Sequence, residues 1–271
     1  MLDPAFKFSQ HSLSDFIECP RRFYLHYVAR QPWPLVDADP LKLEPLERQL
    51  YLKRGQVLHR WIERFWLGVP AGLADDPELN LWWERFQATD FSALPAIRLP
   101  ELELVAALDS PDERLLYARF DLLAVENGQA VIIDWKTLRG EHPPRYQVFA
   151  NRLQTRVYQY VLATAGAAYN EGAPFAPEDI SLRYWLAHFP DAPWVNVPYS
   201  QAQYARDSQW LSALIADITH REGEAQFELT PDERKCAFCT YRTLCRRENA
   251  PTPEPQADVW LDIDAPTELD Y

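Results

Sequence analysis

Two predicted β-strands joined by an Asn-Gly dipeptide at positions 127 and 128 constrain the fold more than any other stretch. They span residues 117–137, YARFDLLAVENGQAVIIDWKT. An Asn-Gly dipeptide between two apolar runs favours a tight hairpin turn. Asp121 lies on the first strand, and Asp134 and Lys136 close the second. Because residues two apart on a strand point to the same face, the Asp134 carboxylate and the Lys136 ammonium are predicted to project together.

Two acids and a lysine at one strand end are what a metal-dependent phosphodiesterase requires. The acids hold a divalent cation, and the lysine steadies the attacking water or the charge that develops on the phosphate. A structural alternative is that Asp-x-Lys at a strand end is only the solvated edge of a sheet. These three residues leave both interpretations open, since short motifs also occur without function.

The composition indicates a folded protein. Of the 271 residues, 47% are hydrophobic and 13% aromatic, enough for one large domain or two small ones with a filled core. No apolar run approaches the roughly 20 residues of a membrane span. The start of the chain lacks the basic and then apolar order of a signal peptide. We therefore expect a soluble, cytoplasmic protein.

The net charge of −13 weighs against a broad electrostatic grip on nucleic acid. Six of the acids, however, lie in residues 250–271, a Pro-containing segment without Lys or Arg, and removing them leaves a charge of −7. We predict one folded domain over residues 1–249 and a disordered acidic tail over 250–271. Charges also act locally, within about 8 Å in physiological salt, so global acidity does not exclude nucleic acid.

Hydrophobic periodicity predicts an α/β core with helical additions at both ends. The first helical segment opens at Ser12 or Ser14 as the cap and is interrupted at Pro20. Further helices are expected over residues 47–67, 78–87, 145–168 and 201–222, the second of them with an apolar stripe that includes Leu81. Strands are expected over residues 101–108, 115–125, 129–137, 180–186 and 194–197, the first three as a meander.

Four cysteines form a second pattern. Cys236, Cys239 and Cys245 lie within ten residues of one another, and Cys19 stands alone near the N-terminus. In a reducing cytoplasm such a cluster binds metal more often than it forms disulfides. Four thiolates suit Zn²⁺ or an iron–sulfur cluster, and the spacing does not separate the two.

Five short motifs precede the cysteine cluster in a characteristic order. They are CPRRF (residues 19–23), GQVLH (55–59), RFD (119–121), DWK (134–136) and QTRVY (154–158). Together they resemble the PD-(D/E)XK nuclease superfamily, and most of all its RecB-like, AddB-like branch with a C-terminal iron–sulfur cluster. That branch includes the CRISPR-associated adaptation exonucleases. The resemblance implies a restriction-endonuclease-like α/β core, a central mixed sheet flanked by helices. Its N- and C-terminal helical additions would be joined by the cysteine-ligated cluster.

The resemblance also implies a role for each motif residue. His59, Asp121 and Asp134 would hold Mg²⁺ or Mn²⁺ with help from the Trp135 carbonyl, and Lys136 would orient the attacking water. Gln154 and Tyr158 would position the scissile strand beside the site. Glu101 or Glu103, on the preceding strand, would add a carboxylate outside the direct metal ligands. The four cysteines would hold a [4Fe–4S] cluster: Cys19, Cys236, Cys239 and Cys245.

The sequence therefore predicts a metal-dependent DNA nuclease. We expect exonuclease-type action on single-stranded or unwound DNA ends, in repair, recombination or CRISPR-like processing, with a helicase or recombination partner. An alternative is a catalytically inactive nuclease-like subunit that binds DNA or serves as a scaffold in a helicase complex. A third interpretation is a zinc-stabilised protein without a nucleic-acid role. Basic residues near the cysteines form either a phosphate-binding rim or a solvated face: Arg234, Lys235, Arg242, Arg246 and Arg247.

Overall fold

The computed structural model describes residues 2–32, 46–72, 74–108, 113–140, 142–237 and 239–251, without the side chains of residues 46–49. The predicted acidic tail lies almost wholly outside these residues, so its disorder stays a prediction. None of the helices described there is long and apolar enough to cross a membrane.

A six-stranded mixed sheet forms the centre of the fold. Strands β2, β3 and β4 make the predicted antiparallel meander, β5 adds in parallel to β4, and β6 pairs antiparallel with β5. The short β1 runs parallel to the first residues of β3. The strands are β1 (Lys7–Phe8), β2 (Ile97–Ala107), β3 (Leu115–Glu126), β4 (Gln129–Lys136), β5 (Ile180–Leu186) and β6 (Trp194–Pro198).

The hairpin turn between β3 and β4 is confirmed. Asn127 and Gly128 have φ angles of 50° and 79°. Positive φ at both central residues is what a type I′ turn requires, and Asn-Gly is the pair that adopts it at least cost. The turn fixes the register of the hairpin, which brings Leu122 opposite Ile133 near its far end.

Helices cover both faces of the sheet. Leu46 to Trp66 forms the long helix predicted for residues 47–67. The α-helices in the described residues are α1 (Gln10–Glu18), α2 (Pro20–Phe23), α3 (Leu46–Trp66), α4 (Pro77–Ala88), α5 (Tyr146–Ala150), α6 (Leu153–Ala165) and α7 (Gln201–His220), and a π-helical turn (Tyr24–Val28) follows α2.

Two helix predictions are wrong in detail. The cap of α1 is Ser9, not Ser12 or Ser14, because Ser9 and Ser12 form a reciprocal capping box. The single helix predicted over residues 145–168 is two helices, with Arg152 in an extended conformation between them. No Gly or Pro marks that break in the sequence.

The sheet separates two hydrophobic cores. Helices α1, α2, α6 and α7 contribute to the core on one face, and α3 and α4 to the core on the other. All but the first residue of β4 are buried, since this strand lies between β3 and β5 and is covered on both faces. The polar end of β4 therefore lies inside the protein.

The alternation of side chains along β3 shifts by one residue at Asp121. Phe120 and Leu123 pack in the same core although they are three residues apart, and Leu122 packs in the other. On β2 the residue opposite Asp121 is Glu101, which has a φ of 50°. A left-handed conformation is unfavourable for glutamate, and such strain gathers at functional sites. In the hairpin register Leu122 pairs with Ile133, so Asp121 lies beside the polar end of β4.

We expect Phe86→Ala to lower the free energy of unfolding by about 3–5 kcal/mol, the cost of truncating a buried phenylalanine. Phe86 is fully buried, and its ring contacts those of Phe91, Trp135 and Trp185 at centroid distances of 5.1–5.7 Å. Leu81→Ala on the same helix is the matched control. Leu81 was predicted to join the apolar stripe, but 44% of its surface is exposed.

Urea unfolding measures both variants. The control should stay within about 0.5 kcal/mol of the wild type, as exposed positions do. If Phe86→Ala and Leu81→Ala lowered the free energy of unfolding equally, Phe86 would not be a central residue of the core to which α3 and α4 contribute.

Candidate active site

A buried ion pair occupies the end of β4. The Lys136 ammonium lies 2.9 Å from Oδ2 of Asp134, and each residue is 1% exposed. The interpretation of this motif as a solvated sheet edge is therefore wrong. Removing two charges from water costs several kcal/mol for each, so the pair persists only where each charge has a close partner and further hydrogen bonds.

Helix α6 supplies the second partner of Asp134. Gln154 donates from Nε2 to Asp134 Oδ1 over 2.7 Å, so both carboxylate oxygens have a donor nearby. Tyr184 on β5 places its hydroxyl 3.5 Å from Gln154 Oε1 and 2.7 Å from Thr155 Oγ1. Its ring lies 5.8 Å from the Lys136 ammonium. The strand, its parallel neighbour and α6 thus hold Asp134 in one orientation.

Sequence reasoning missed Tyr184 and Thr155. Burial raises the pKa of Tyr184 far above its usual value, which keeps the hydroxyl protonated as a hydrogen-bonding group. Tyr184 lies in an apolar strand that indicates core packing, and Thr155 is one of several polar residues on α6. No local signal distinguishes either of them.

A second set of polar side chains, His59 and Asp121, bonds to the backbone of β4 at Trp135. The Trp135 N–H donates to Asp121 Oδ2 over 2.8 Å, and the Trp135 carbonyl accepts from His59 Nε2, also over 2.8 Å. Nδ1 of His59 lies 3.4 Å from the same Asp121 oxygen. Helix α3, β3 and β4 therefore meet at the peptide groups of Trp135.

His59 carries a positive charge in this arrangement. Burial by itself lowers the pKa of the imidazole, but the neighbouring Asp121 carboxylate, with a smaller contribution from Asp134, raises it to about 9. Both ring nitrogens then act as donors, one to the Trp135 carbonyl and one toward Asp121. The imidazolium offsets part of the negative charge of the two aspartates.

Of the two glutamates considered on β2, the structure places Glu101 at the site. Burial and the adjacent Asp121 raise its pKa to about 7. Its carboxylate accepts from Arg119 Nε over 2.7 Å. Glu103, by contrast, is exposed.

Tyr158 on α6 is buried. Its ring lies 5.1 Å from that of Phe120, the residue before Asp121 on β3, in an edge-to-face contact.

The donor set has the chemistry of a hard-cation site: two carboxylates, one carbonyl and one imidazole. Across the residues with described side chains, however, no three His, Cys, Asp or Glu side chains are arranged to hold a metal ion. Instead, His59 bonds directly to the Trp135 carbonyl and approaches Asp121. The predicted ligand types are brought together, and a cation would have to displace these mutual contacts.

None of the four cysteines forms a disulfide, and the ligation of a metal by them stays a prediction. Cys19 precedes α2 and is buried, as is Cys236. Burial raises the pKa of Cys245 to about 11, and the neighbouring thiols of Cys239, Cys19 and Cys236 contribute to the same rise. The two ends of the folded chain therefore bring these thiols within electrostatic range of each other.

The basic residues near the cysteines make local contacts. Arg234 pairs with Asp232 over 2.8 Å. Arg247 donates to the Thr230 carbonyl over 2.6 Å and to the sulfur of Cys236 over 3.4 Å. These contacts favour a structural role for both guanidinium groups over a phosphate-binding rim.

Comparison with known proteins gives one family and several distant structural likenesses. A sequence model of the PD-(D/E)XK nuclease superfamily matches residues 7–246. A crystal structure of SSO0001 is 17% identical, with 89% of this chain and 86% of that chain covered and a TM-score of 0.42. A Eubacterium rectale protein described as a "putative exonuclease" is 12% identical, with 92% and 90% covered and a TM-score of 0.48. No curated protein matches the sequence.

We expect Lys136→Met to destabilise the protein by about 3–5 kcal/mol, because it leaves the buried Asp134 carboxylate without its counter-charge. Adding Asp134→Asn should restore most of that loss, since the neutral amide needs no counter-charge and still accepts from Gln154. Urea unfolding of both single variants and the double variant measures the coupling. Two results would show that the pair does not hold this end of β4. One is that the losses of unfolding free energy in the two single variants add up in the double variant, and the other is that Lys136→Met is as stable as the wild type.

Proposed function

Because the chain belongs to the PD-(D/E)XK nuclease superfamily, we propose that it is a metal-dependent deoxyribonuclease that hydrolyses phosphodiester bonds. The observation that carries the proposal is the buried Asp134–Lys136 pair beside the Asp121–His59 contact. Evolutionarily neutral packing has little reason to keep four ionisable groups at one strand end, where each must be compensated. An inactive scaffold would not need them.

The same residues are the proposed metal ligands. His59, Asp121 and Asp134 would hold the Mg²⁺ or Mn²⁺ that this superfamily typically uses, together with the Trp135 carbonyl. Such a cation, when bound, stabilises the developing phosphate charge and lowers the pKa of bound water. Oxygen donors predominate in this set, as Mg²⁺ prefers, and one imidazole favours Mn²⁺ slightly.

The chain's own groups do the positioning. Lys136 presents its ammonium beside Asp134, where it donates to the attacking water or to a phosphate oxygen. Gln154 fixes the rotation of the Asp134 carboxylate through its 2.7 Å hydrogen bond. We propose that Tyr158, buried on α6 against Phe120, helps to position the scissile strand, and that Glu101 contributes an outer carboxylate next to Asp121.

The motif order supports a finer assignment within the superfamily. A RecB-like enzyme acts on single-stranded or unwound ends, so we propose exonuclease-type action on such DNA, alongside a helicase or recombination partner. Repair, recombination and CRISPR-like processing are the processes in which such ends arise. Four free cysteines are consistent with a reducing compartment such as the cytoplasm.

We also propose that Cys19, Cys236, Cys239 and Cys245 hold a [4Fe–4S] cluster with a structural role. The support is that the two ends of the folded domain are already joined there. The Arg21 N–H donates to the Glu228 carbonyl over 3.1 Å, and the Tyr241 hydroxyl to the Gln31 carbonyl over 3.2 Å. A cluster would add a covalent clamp between segments far apart in sequence, which constrains the unfolded chain.

We predict that the protein cleaves end-labelled single-stranded DNA in Mg²⁺ or Mn²⁺ and that Asp134→Asn lowers the rate at least about 100-fold, the scale of losing one preorganised charged group. Asp191→Asn, at an exposed aspartate in the β5–β6 connection, is the matched control and should cleave like wild type. The Asp134→Asn/Lys136→Met double variant separates loss of chemistry from loss of folding, since it keeps no unpaired charge.

Equal cleavage by the wild type and Asp134→Asn would contradict the assignment, as would no cleavage of single- or double-stranded DNA under broad conditions. The second result, no cleavage of any DNA, would support the alternative of a catalytically inactive scaffold subunit.

For the cluster, we predict that anaerobically purified protein is coloured and contains iron and acid-labile sulfide. Cys19→Ser should lose both and melt at a lower temperature, whereas Asp134→Asn should keep both because the two sites are separate. Metal analysis and visible absorbance are the measurements. A colourless sample with stoichiometric zinc would contradict the iron–sulfur assignment while leaving the nuclease proposal intact.

A further inference from the structure

A cleft of about 670 Å³ lies between the end of α4 and the β5–β6 pair, and none of the residues that line it is among those assigned above. Its volume falls within the roughly 300–1,000 Å³ of sites that bind small organic groups. Trp185 on β5 forms the floor and is anchored by a 3.1 Å hydrogen bond from its indole N–H to Thr89. Its polar side chains include two arginines, Arg85 and Arg183.

Neither arginine forms an ion pair with a carboxylate in the described part of the chain. Arg85 donates to the Ala187 carbonyl over 2.7 Å, and Arg183 donates from Nε to the Asn196 side chain over 3.3 Å. Burial lowers the pKa of Arg183, and no carboxylate offsets that effect. The acid that lines the cleft, Asp90, is exposed and accepts from the Ser92 N–H. The cleft therefore offers two guanidinium groups that form no ion pair within the described residues, which suits an anion such as a phosphate.

An aromatic surface lies beside these charges. Trp194 on β6 lines the cleft and is half-buried, with one edge supported by the ring of Phe91 at a centroid distance of 6.0 Å. A partly exposed tryptophan next to arginine is the combination on which single-stranded nucleic acids stack a base and place a phosphate. A purely apolar ligand would leave both guanidinium groups without a negative charge to pair with.

The cleft begins at the end of the proposed catalytic strand, on the face of the sheet that α3 and α4 cover. Asp134 and Lys136 contact Gln154 and Tyr184 on the other face, at the same end of the sheet. Ala187, whose carbonyl holds Arg85, donates its own N–H to the Lys136 carbonyl over 2.9 Å. Adjacent strands are about 5 Å apart, so the cleft begins one strand spacing from β4. It then extends along β5 to Arg183, about 13 Å further at 3.3 Å per residue. That length accommodates one or two nucleotides.

We infer that this cleft binds a non-scissile segment of the single-stranded DNA substrate, with a base against Trp194 and a phosphate at Arg183. The inference rests on the proposed function, which it deepens by giving the strand a path from the end of β4 to the face of β5 and β6 that lies toward α4. It also gives the acidic chain a local positive surface for a polyanion.

The test is equilibrium binding of a fluorescently labelled single-stranded oligodeoxynucleotide in EDTA, which prevents cleavage, across a series of salt concentrations. We expect Arg183→Gln and Trp194→Ala each to weaken binding at least about 5-fold, the lower limit for losing one stacked base or one charged contact. Arg183→Gln should also reduce the slope of log K against log salt by about 0.7, the value for one phosphate. Trp194→Phe, which keeps an aromatic face, should bind close to wild type.

Arg206→Gln is the matched control, because Arg206 is exposed on α7 at the opposite face of the sheet. It loses the same charge and should leave affinity unchanged. Wild-type affinity and salt slope in Arg183→Gln would overturn the inference. So would a deoxynucleoside monophosphate that binds the wild type but not Arg183→Gln while oligonucleotide affinity stays the same, since the cleft would then be a mononucleotide site.

The two proposals fail separately. If Asp134→Asn abolishes cleavage but Arg183→Gln binds DNA normally, the active site stands and the cleft assignment is wrong. Suppose instead that the wild-type protein cleaves no DNA, whereas Arg183→Gln and Trp194→Ala both lose DNA affinity. The cleft then stands as a DNA-binding surface, and the nuclease proposal is wrong.

Discussion

The ion pair between Asp134 and Lys136 is the interaction on which the rest of the structure depends. Two charges at the end of a buried central strand are tolerable only if they pair with each other and with further polar groups. Gln154 fulfils that need from α6, and Tyr184 closes the same space from β5. The position of α6 over the sheet is therefore set by electrostatics as well as by packing.

The Trp135 backbone connects that pair to the second half of the site. Its N–H and its carbonyl, which belong to successive peptide groups, bond to Asp121 and His59 and so join β3 and α3 to β4. The imidazolium of His59 supplies positive charge between acids, where the proposal puts a cation. If the proposed metal cation replaced the imidazolium charge of His59, the total charge of the site would stay nearly balanced. A chain with a net charge of −13 can thus keep a local environment suited to a polyanion.

The sequence predicted those features that depend on local pattern. The Asn-Gly turn and the period of two along β4 correctly gave the hairpin and the shared face of Asp134 and Lys136. The pairing of β5 with β4 is parallel and joins residues distant in the chain, so the contribution of Tyr184 has no local signal. The left-handed φ of Glu101 is likewise unexpected, since glutamate has no preference for it.

The break between α5 and α6 shows why helix boundaries were harder to predict. No helix breaker occurs at Arg152, yet the chain extends there and the helical hydrogen bonds stop. The Phe149 carbonyl accepts from the Arg152 N–H over 3.1 Å and from the Thr155 hydroxyl over 2.7 Å. The Arg152 guanidinium lies 4.8 Å from the Phe149 ring. Tertiary contacts thus stabilise a break that helix propensity alone would not produce.

Anomalous diffraction from crystals soaked in Mn²⁺ tests the central claim most directly, because it locates the cation without reference to activity. The account predicts one strong anomalous peak in contact with the carboxylates of Asp121 and Asp134 and with the Trp135 carbonyl. It also predicts that the peak is absent from the Asp134→Asn/Lys136→Met variant. No peak among these groups at saturating Mn²⁺, or an unchanged peak in the variant, would contradict the account.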